Sequence, residues 1–584
     1  MAGGLYRSSH AEGAAPEDGG GYEPQADPGF ERPALEDPSL VAAEEAGAQE
    51  DNSTTGQSAI MAAGSLVSRV TGFVRNALIG MTLGFTVGDA YTSAQFLPSQ
   101  IYELLLGGIL SSVLIPLLVR RRKADPDGGQ LYTQKLLTFA MVSLGIATVL
   151  VVVAAPLITL IQSGGGTSPE YRDLVTMFAY LMLPIIFFTG LSALIGAVLN
   201  VRGHFAAPMW APILNNLVVI AACGLFLLLF DTDGRLTIAQ MTPGMVAVIG
   251  GGTLLGMIVQ AAGLLPALRR VGFTWNWRWD PRGLGMGEIG RLAGWMLCYV
   301  GANQLAVFLV VRLLSSGTGG NRASTLAYNN VYLLTMMAHG IIGVSVMTAL
   351  LPKMSAAAAE GRFSDVSADL SRGIRLATTA LAPIAVAYGV LATPIAVTLF
   401  QGGNYTYDQA YATADVLVAG ALAVIPLSVS YLCTYAFYSL QGNKTVALIN
   451  LPVVALRIAG YLVLAWTLSA SLAAAGMTAA NALSYALSAL ISLAVLRRRI
   501  GRLNLGSLVA ALLKVVVAAL VAGALGLVVV RLLPGGGEPN RVEALLQLFA
   551  GGAVIMICYL GAAALLRVRE VSQVVGMVRR KLGR

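Results

Sequence analysis

Runs of about twenty apolar residues alternate with short polar breaks along most of this chain. A helix that crosses a bilayer needs about 20 predominantly apolar residues. Segments of that kind lie near 58–83, 93–119, 134–161, 173–199, 206–230, 244–267, 292–315, 325–351, 374–400, 410–437, 446–467, 472–496, 507–532 and 544–566. The pattern predicts fourteen transmembrane helices in an all-α polytopic membrane protein. Residues 1–56 depart from it: they show no apolar period and carry 12 of the 30 acidic residues, against Arg7 and Arg32 as the strong bases. A segment so poor in apolar residues cannot bury enough surface to fold. It is expected to be a disordered acidic leader, either a solvated tail or a docking arm. The first apolar run starts near residue 58, behind this polar stretch, so no cleavable signal peptide is expected.

Composition agrees, since the 584 residues are 56% hydrophobic and 12% charged, about half the charge of a soluble globular chain. The charge is divided unevenly among the loops. One set carries Arg120-Arg121-Arg122-Lys123, Arg202, Arg269-Arg270 with Arg278 and Arg282, then Lys353, Arg362 and Arg372, Lys444, Arg497-Arg498-Arg499, Arg502, and the tail from Arg567 to Arg584. The intervening loops, Phe85–Asp89, Gly164–Pro169, Asp231–Gly244, Gly317–Ser324 and Gly402–Asp408, are nearly free of base. Basic loops stay in the cytoplasm. With an even number of spans, this places the chain in the cytoplasmic membrane with both termini inside. The tail, 567–584, spaces Val571, Val574, Val575 and Val578 at helical intervals among basic residues. It suits a helix lying on the anionic inner leaflet, or a plain solvated tail.

The chain also repeats itself weakly. Gly107 to Pro116 in the second segment resembles Gly343 to Pro352 in the eighth, and Leu199–Gly203 after the fourth resembles Tyr438–Gly442 after the tenth. The two pairs have nearly the same offset. They suggest two six-helix lobes, 57–270 and 285–500, related by an axis along the membrane normal, with helices 13 and 14 (505–566) appended. Two such bundles meeting at the midplane enclose a cavity, and rocking one against the other gives alternating access.

Cys223, Cys298, Cys433 and Cys558 all lie in apolar segments, and His10, His204 and His339 are scattered. Neither disulfides nor a metal site is expected. Gly164-Gly-Gly and Gly250-Gly-Gly lack the Gly-Lys-Ser or Gly-Lys-Thr of a phosphate loop. No nucleophile motif stands out, and the chain reads as a membrane transporter without cofactor or nucleic-acid partner rather than an enzyme.

Ionisable residues inside the spans are the chemical signal. An arginine at the bilayer centre costs about 2.5–3.5 kcal/mol on insertion scales, and Arg69 and Arg75 share the first segment. At about 100° per residue, Arg69, Gly72 and Asn76 share one face, with Arg75 about 120° from Arg69. Both arginines look inward if the cavity is wide or the helix bends at Gly72. A guanidinium fork matches diphosphate oxygens with paired bonds. The bland reading is that they snorkel or pair with Asp89 or Glu103. Arg457, deep in the eleventh segment, is a second anion or ion-pair candidate. Asn215-Asn216 and Asn303-Gln304 are candidates for lining the cavity or linking helices. Gly72, Pro208 and Pro212 are candidate bending points.

Three stretches resemble the MviN/MurJ family: Ser68-Arg-Val-Thr-Gly-Phe-Val-Arg-Asn-Ala with Gly88-Asp-Ala-Tyr and Phe96-Leu-Pro; Ala197-Val-Leu-Asn-Val-Arg-Gly-His-Phe-Ala-Ala-Pro-Met-Trp-Ala-Pro-Ile-Leu-Asn-Asn, which includes Asn200; and Thr348-Ala-Leu-Leu-Pro-Lys-Met-Ser. The resemblance implies fourteen helices in two lobes, within a superfamily of multidrug and polysaccharide-lipid exporters. It implies a flippase that carries a polyprenyl-diphosphate glycan, lipid II, from the inner to the outer leaflet. The family's arginines of span one match Arg69 and Arg75, and its carboxylate after span one matches Asp89. The paired arginines that many members carry in span two fall near Tyr102 and Glu103, and the arginine of span eight falls near Tyr332 or Leu333. The carboxylate some members use for sodium falls near Leu309 or Val310, which leaves the coupling ion open. The acidic leader suits an actinobacterial version.

The expected site is therefore Arg69, Arg75, Asn76, Asp89 and Arg457 around the substrate. Gly72, Asn200, Pro208, Pro212, Asn215, Asn303 and Gln304 are expected to line or flex the cavity. Membrane lipids and cell-wall synthesis proteins are the further partners considered. The competing functions are export of another polyprenyl-diphosphate glycan, export of drugs, and a non-transporting scaffold that recruits cell-wall enzymes through the leader.

Overall fold

The computed structural model describes residues 38–571 apart from 104–114, 164–166, 233, 235, 285, 317–323, 441, 502–504 and 536–537, with side chains from residue 63 onward except at 97, 100–103, 115, 116, 286–293, 295–297 and 505. The chain forms two compact units, Met1–Ser58 and Ala59–Arg584. Of the first unit, residues 38–58 are described and helical. The rest of the expected acidic leader lies outside the described residues.

The second unit is built of helices, and no strand occurs among the described residues. Its N-terminal half contains the part of α1 (Pro38–Glu103) from Ala59 onward, then α2 (Ile115–Ala124), α3 (Gln130–Val153), α4 (Ala155–Ser163), α5 (Pro169–Met182), α6 (Ile185–Val201), α7 (Ala206–Leu229) and α8 (Pro243–Arg270). The C-terminal half contains α9 (Met286–Ser316), α10 (Thr325–Ala338), α11 (Val344–Ala359), α12 (Phe363–Val390), α13 (Ala392–Phe400), α14 (Tyr407–Ser439), α15 (Asn443–Thr467) and α16 (Ala473–Ile500). Two further helices follow, α17 (Leu505–Leu532) and α18 (Arg541–Leu565). Among the described residues, 13 stretches are long and apolar enough to cross a bilayer. The fourteenth expected segment, 93–119, runs through residues 104–114, outside the described residues, as does most of the Gly107–Pro116 repeat.

Helix breaks fall where backbone chemistry demands them. Gly84, at φ 66 and ψ −167, interrupts α1. Only glycine enters that conformation at little cost. The helix resumes at once, so Phe85–Asp89, expected as an outer loop, is helical. Three other spans are split just before a proline in the first turn or cap of the next piece: Pro156 for α4, Pro184 for α6 and Pro394 for α13. Proline lacks the N–H that would continue the ladder but is tolerated at a helix start. Between α10 and α11, His339–Gly343 forms a π-helical turn. Gly72 and Pro212, expected as bending points, lie within continuous helix, and Pro208 sits in the first turn of α7.

The buried apolar residues form four clusters. Two draw on residues up to Leu284, and two draw on residues from Ala306 onward, joined by Ala77 and Phe85 of α1. The repeat segments Leu199–Gly203 and Tyr438–Gly442 both close a helix, yet Gly203 has φ 82 and Gly442 has φ −90. They share a place in the fold, not a backbone conformation. At the tail, Val568 and Val571 are buried in the core and Glu570 pairs with Arg375 at 2.8 Å. The start of the tail thus docks against the body, and residues 572–584 lie outside those described.

Candidate functional site

Two cavities adjoin along α1. The larger, about 490 Å³, lies between α1, α6, α7 and α8 of the N-terminal half and α10 of the C-terminal half, and is lined by Arg69, Gly72, Arg75, Asn76, Gln95, Thr189, Asn215, Gln260, Met336 and Met337 among others. The smaller, about 330 Å³, is enclosed by α1, α6, α7 and α8, with Arg69, Ser192, Asn200, Pro208 and Gln260 among its walls. The two share Ser68, Arg69, Pro212 and Gln260. The lining residues Ser68 to Asn76 cover an arc of about 160° of α1. A wide cavity, not a bend at Gly72, is what brings both arginines to one space. The absent side chain of Gly72 admits the Asn216 carboxamide, 3.4 Å from where a Cβ would stand. Asn216 donates to the Ser68 carbonyl at 3.1 Å and to Thr71 Oγ1 at 3.0 Å, fastening α7 to α1.

Neither cavity has an Asp or Glu among its described lining residues. Arg75 Nη2 donates to Asn76 Oδ1 at 3.2 Å, while its Nε is buried without a partner among the described residues. Neither Arg69 nor Arg75 forms an ion pair there. Two cations beside one cavity, with no counter-charge among its described lining residues, favour an anion there, because a desolvated charge gains most from an opposite charge brought to it. The smaller cavity extends this site with hydroxyls and carboxamides.

The C-terminal half contributes a contact that the sequence did not flag. Gly340, in the π-helical turn, lies against the Arg69 guanidinium, and a Cβ there would overlap it. π-turns are rare and concentrate at functional sites. Gly340→Ala is expected to displace the flexible end of Arg69 at little cost to folding. Binding of a diphosphate lipid then falls about tenfold, the worth of one charge-assisted bond, with the melting temperature unchanged. Titration of the purified variant checks this, and unaltered affinity refutes it.

Four expected site residues stand elsewhere. Asp89 is buried in α1, where its Oδ1 accepts from Ser324 Oγ at 2.6 Å and from the Leu326 N–H at 2.8 Å. A carboxylate at the start of α10 complements that helix's dipole, so Asp89 ties the halves together rather than lining the cavity. Arg457 is buried between α9, α15 and α16. Its Nε donates to Ser484 Oγ at 2.9 Å, its Nη1 donates to Asn303 Oδ1 at 3.2 Å, and it sits 5.1 Å over the Tyr485 ring. Asn303 in turn donates to the Tyr299 carbonyl at 2.9 Å. Arg457 and Asn303 thus form a cluster of their own, and Gln304 does not line either cavity. By contrast Arg69, Arg75, Asn76, Gly72, Asn200, Pro208, Pro212 and Asn215 all do. Gln95, Thr189, Ser192 and Gln260 were missed, since a lone polar residue in an apolar span looks the same whether it lines a cavity or links helices.

A bundle of membrane-spanning helices in two halves with a basic cavity between them defines a polytopic membrane transporter. The fold is that of a solved "Lipid II flippase MurJ, inward closed conformation", with a TM-score of 0.67 at 17% identity over 90% of this chain and 99% of that one. It also matches the "Inward-facing conformation of a multidrug resistance MATE family transporter of the MOP superfamily", with a TM-score of 0.61 at 15% identity over 75% and 95% of the two chains. The family described as "Lipid II flippase MurJ" matches residues 77–537, and the chain belongs to that family. Its relatives include "Probable lipid II flippase MurJ" of Bdellovibrio bacteriovorus, 25% identical over 549 residues covering 91% of this chain and 98% of the relative. Another is "Lipid II flippase MurJ" of Burkholderia cenocepacia, 26% identical over 388 residues covering 65% and 72%.

Proposed function

We propose that this chain carries lipid II from the inner to the outer leaflet of the cytoplasmic membrane by alternating access of its two halves, with both termini in the cytoplasm. Arg69 and Arg75 hold the diphosphate, Asn76 orients Arg75, and the polyprenyl tail stays in the bilayer. The observation that carries this reading is the pair of arginines at one cavity between the halves with no carboxylate among its described lining residues. A drug exporter for cations would need carboxylates there. Membrane potential or an ion gradient drives the cycle, since about 2.3 kcal/mol is available per charge per 100 mV.

Complementation of a flippase-depleted cell tests the proposal. The full chain and a chain lacking Met1–Gly56 are both expected to restore growth and surface-exposed lipid II, because none of the described residues that line the cavities belongs to the leader. Failure of both chains at normal membrane levels overturns the flippase reading. Failure of the truncated chain alone supports a scaffold that works through the leader.

A further inference from the structure

We infer that His339 binds a proton together with the anion at Arg69, so that the chain takes up a proton as its cavity loads. This rests on the anion reading of Arg69 and goes beyond it: the second ligand is a proton, and its site lies in the C-terminal half. His339 opens the π-helical turn between α10 and α11 and is buried. Gly340, the next residue, lies against the Arg69 guanidinium. Met336 and Met337, a turn earlier, line the larger cavity. The imidazole and that guanidinium interact electrostatically. Histidine is the side chain whose ordinary titration falls between about pH 5 and 8, and no other described histidine is buried.

The ring is set to accept a proton without losing a bond. Its Nδ1 lies 2.9 Å from Ser428 Oγ of α14, and that hydroxyl donates to the Val424 carbonyl at 3.1 Å. A hydroxyl has one proton to give. With it spent on Val424, Oγ accepts from the Nδ1–H, and Nε2 keeps its lone pair. Among the described residues nothing bonds Nε2.

The titratable groups on the helices around it are few. Tyr431 of α14 has its ring centre 4.8 Å away, with Cys433 further along that helix. Tyr388 of α12 donates to the Leu334 carbonyl of α10 at 3.0 Å, Tyr332 lies two turns back on α10, and α11 has none before Lys353. Tyrosine and cysteine ordinarily titrate above about pH 8, which leaves Arg69 of α1 as the neighbouring charge. A charged imidazole and Arg69 oppose one another, and an anion on Arg69 lifts that opposition. Such coupling is reciprocal: an anion that favours the proton is itself favoured by it.

Lipid II titrated into the purified full chain tests this. A diphosphate esterified at both ends lacks the ionisation near about pH 6 of a terminal phosphate. Calorimetry at acid pH in two buffers of different ionisation enthalpy counts the protons. The wild-type chain is expected to take up about half a proton or more per lipid II bound, since the ordinary midpoint of histidine is about 6.5. Its affinity is expected to rise toward acid by up to about tenfold per pH unit, the limit for one proton. His339→Gln and His339→Asn keep an amide donor near Ser428. Both are expected to bind as the wild type does at alkaline pH, which shows that they are folded, and to show neither uptake nor pH dependence. No uptake in the wild type, or uptake unchanged in the variants, overturns the proton site. Loss of binding at alkaline pH in both variants gives His339 a structural role and overturns it too. If Arg69→Ala binds lipid II as the wild type does, the anion reading itself fails, whatever His339 does.

Discussion

Replacing Arg69 and Arg75 together with alanine lowers lipid II translocation by a factor of about a hundred to ten thousand and abolishes complementation. Each guanidinium supplies charge-assisted bonds worth about 1.5–3 kcal/mol. Two of them contribute about 3–6 kcal/mol, and every 1.4 kcal/mol is about tenfold. The protein itself should tolerate the change. Neither arginine is held by a carboxylate among the described residues, Arg69 borders open space, and alanine favours helix. Membrane abundance therefore stays near wild type, which separates this result from misfolding. A double lysine variant keeps the charge but not the fork that matches two phosphate oxygens, and falls between the two. Transport by the double alanine variant within a few-fold of wild type would remove the diphosphate role.

The bilayer made the architecture legible. It forces helices of about twenty apolar residues and satisfies every backbone group internally. Counting such runs found all thirteen described spans. The breaks at Gly84 and His339–Gly343 were not visible. One glycine in an apolar helix gives the same signal whether it packs, bends or makes way for a side chain. Arg75 shows the limit from another side. Its 120° separation from Arg69 left a bend or a wide cavity open, and only the packing of α6, α7, α8 and α10 around α1 decided for width. Arg457 shows the opposite error. Depth in a span marks a charge that needs an explanation, but Ser484, Asn303 and the Tyr485 ring can supply it without any substrate.

The second large effect is expected at Asn404, in the turn between α13 and α14. Its N–H donates to the Met81 carbonyl at 2.7 Å, and its Nδ2 donates to the Thr82 carbonyl at 2.6 Å and to Thr232 Oγ1 at 3.0 Å. Its Oδ1 accepts from the Leu236 N–H at 3.0 Å. One buried residue of the C-terminal half thus bonds α1 and the α7–α8 connection of the N-terminal half, on the side proposed to face outward. Two left-handed glycines allow this approach: Gly84, packed on the Asn404 carbonyl, and Gly403 at φ 55, packed on the Met81 carbonyl. Alternating access needs this contact to close in one state and part in the other. Asn404→Ala removes three side-chain bonds, and about 2–4 kcal/mol of preference for the closed contact goes with them, a shift of roughly 30- to 1,000-fold in the balance of states. Amide exchange at 401–406 and at Leu236 is expected to rise, and translocation to fall, because the outer side no longer holds shut while the cavity loads. Gly84→Val reaches the same end by steric conflict and backbone strain. Wild-type exchange and transport in both variants would show that the contact is incidental packing rather than a gate.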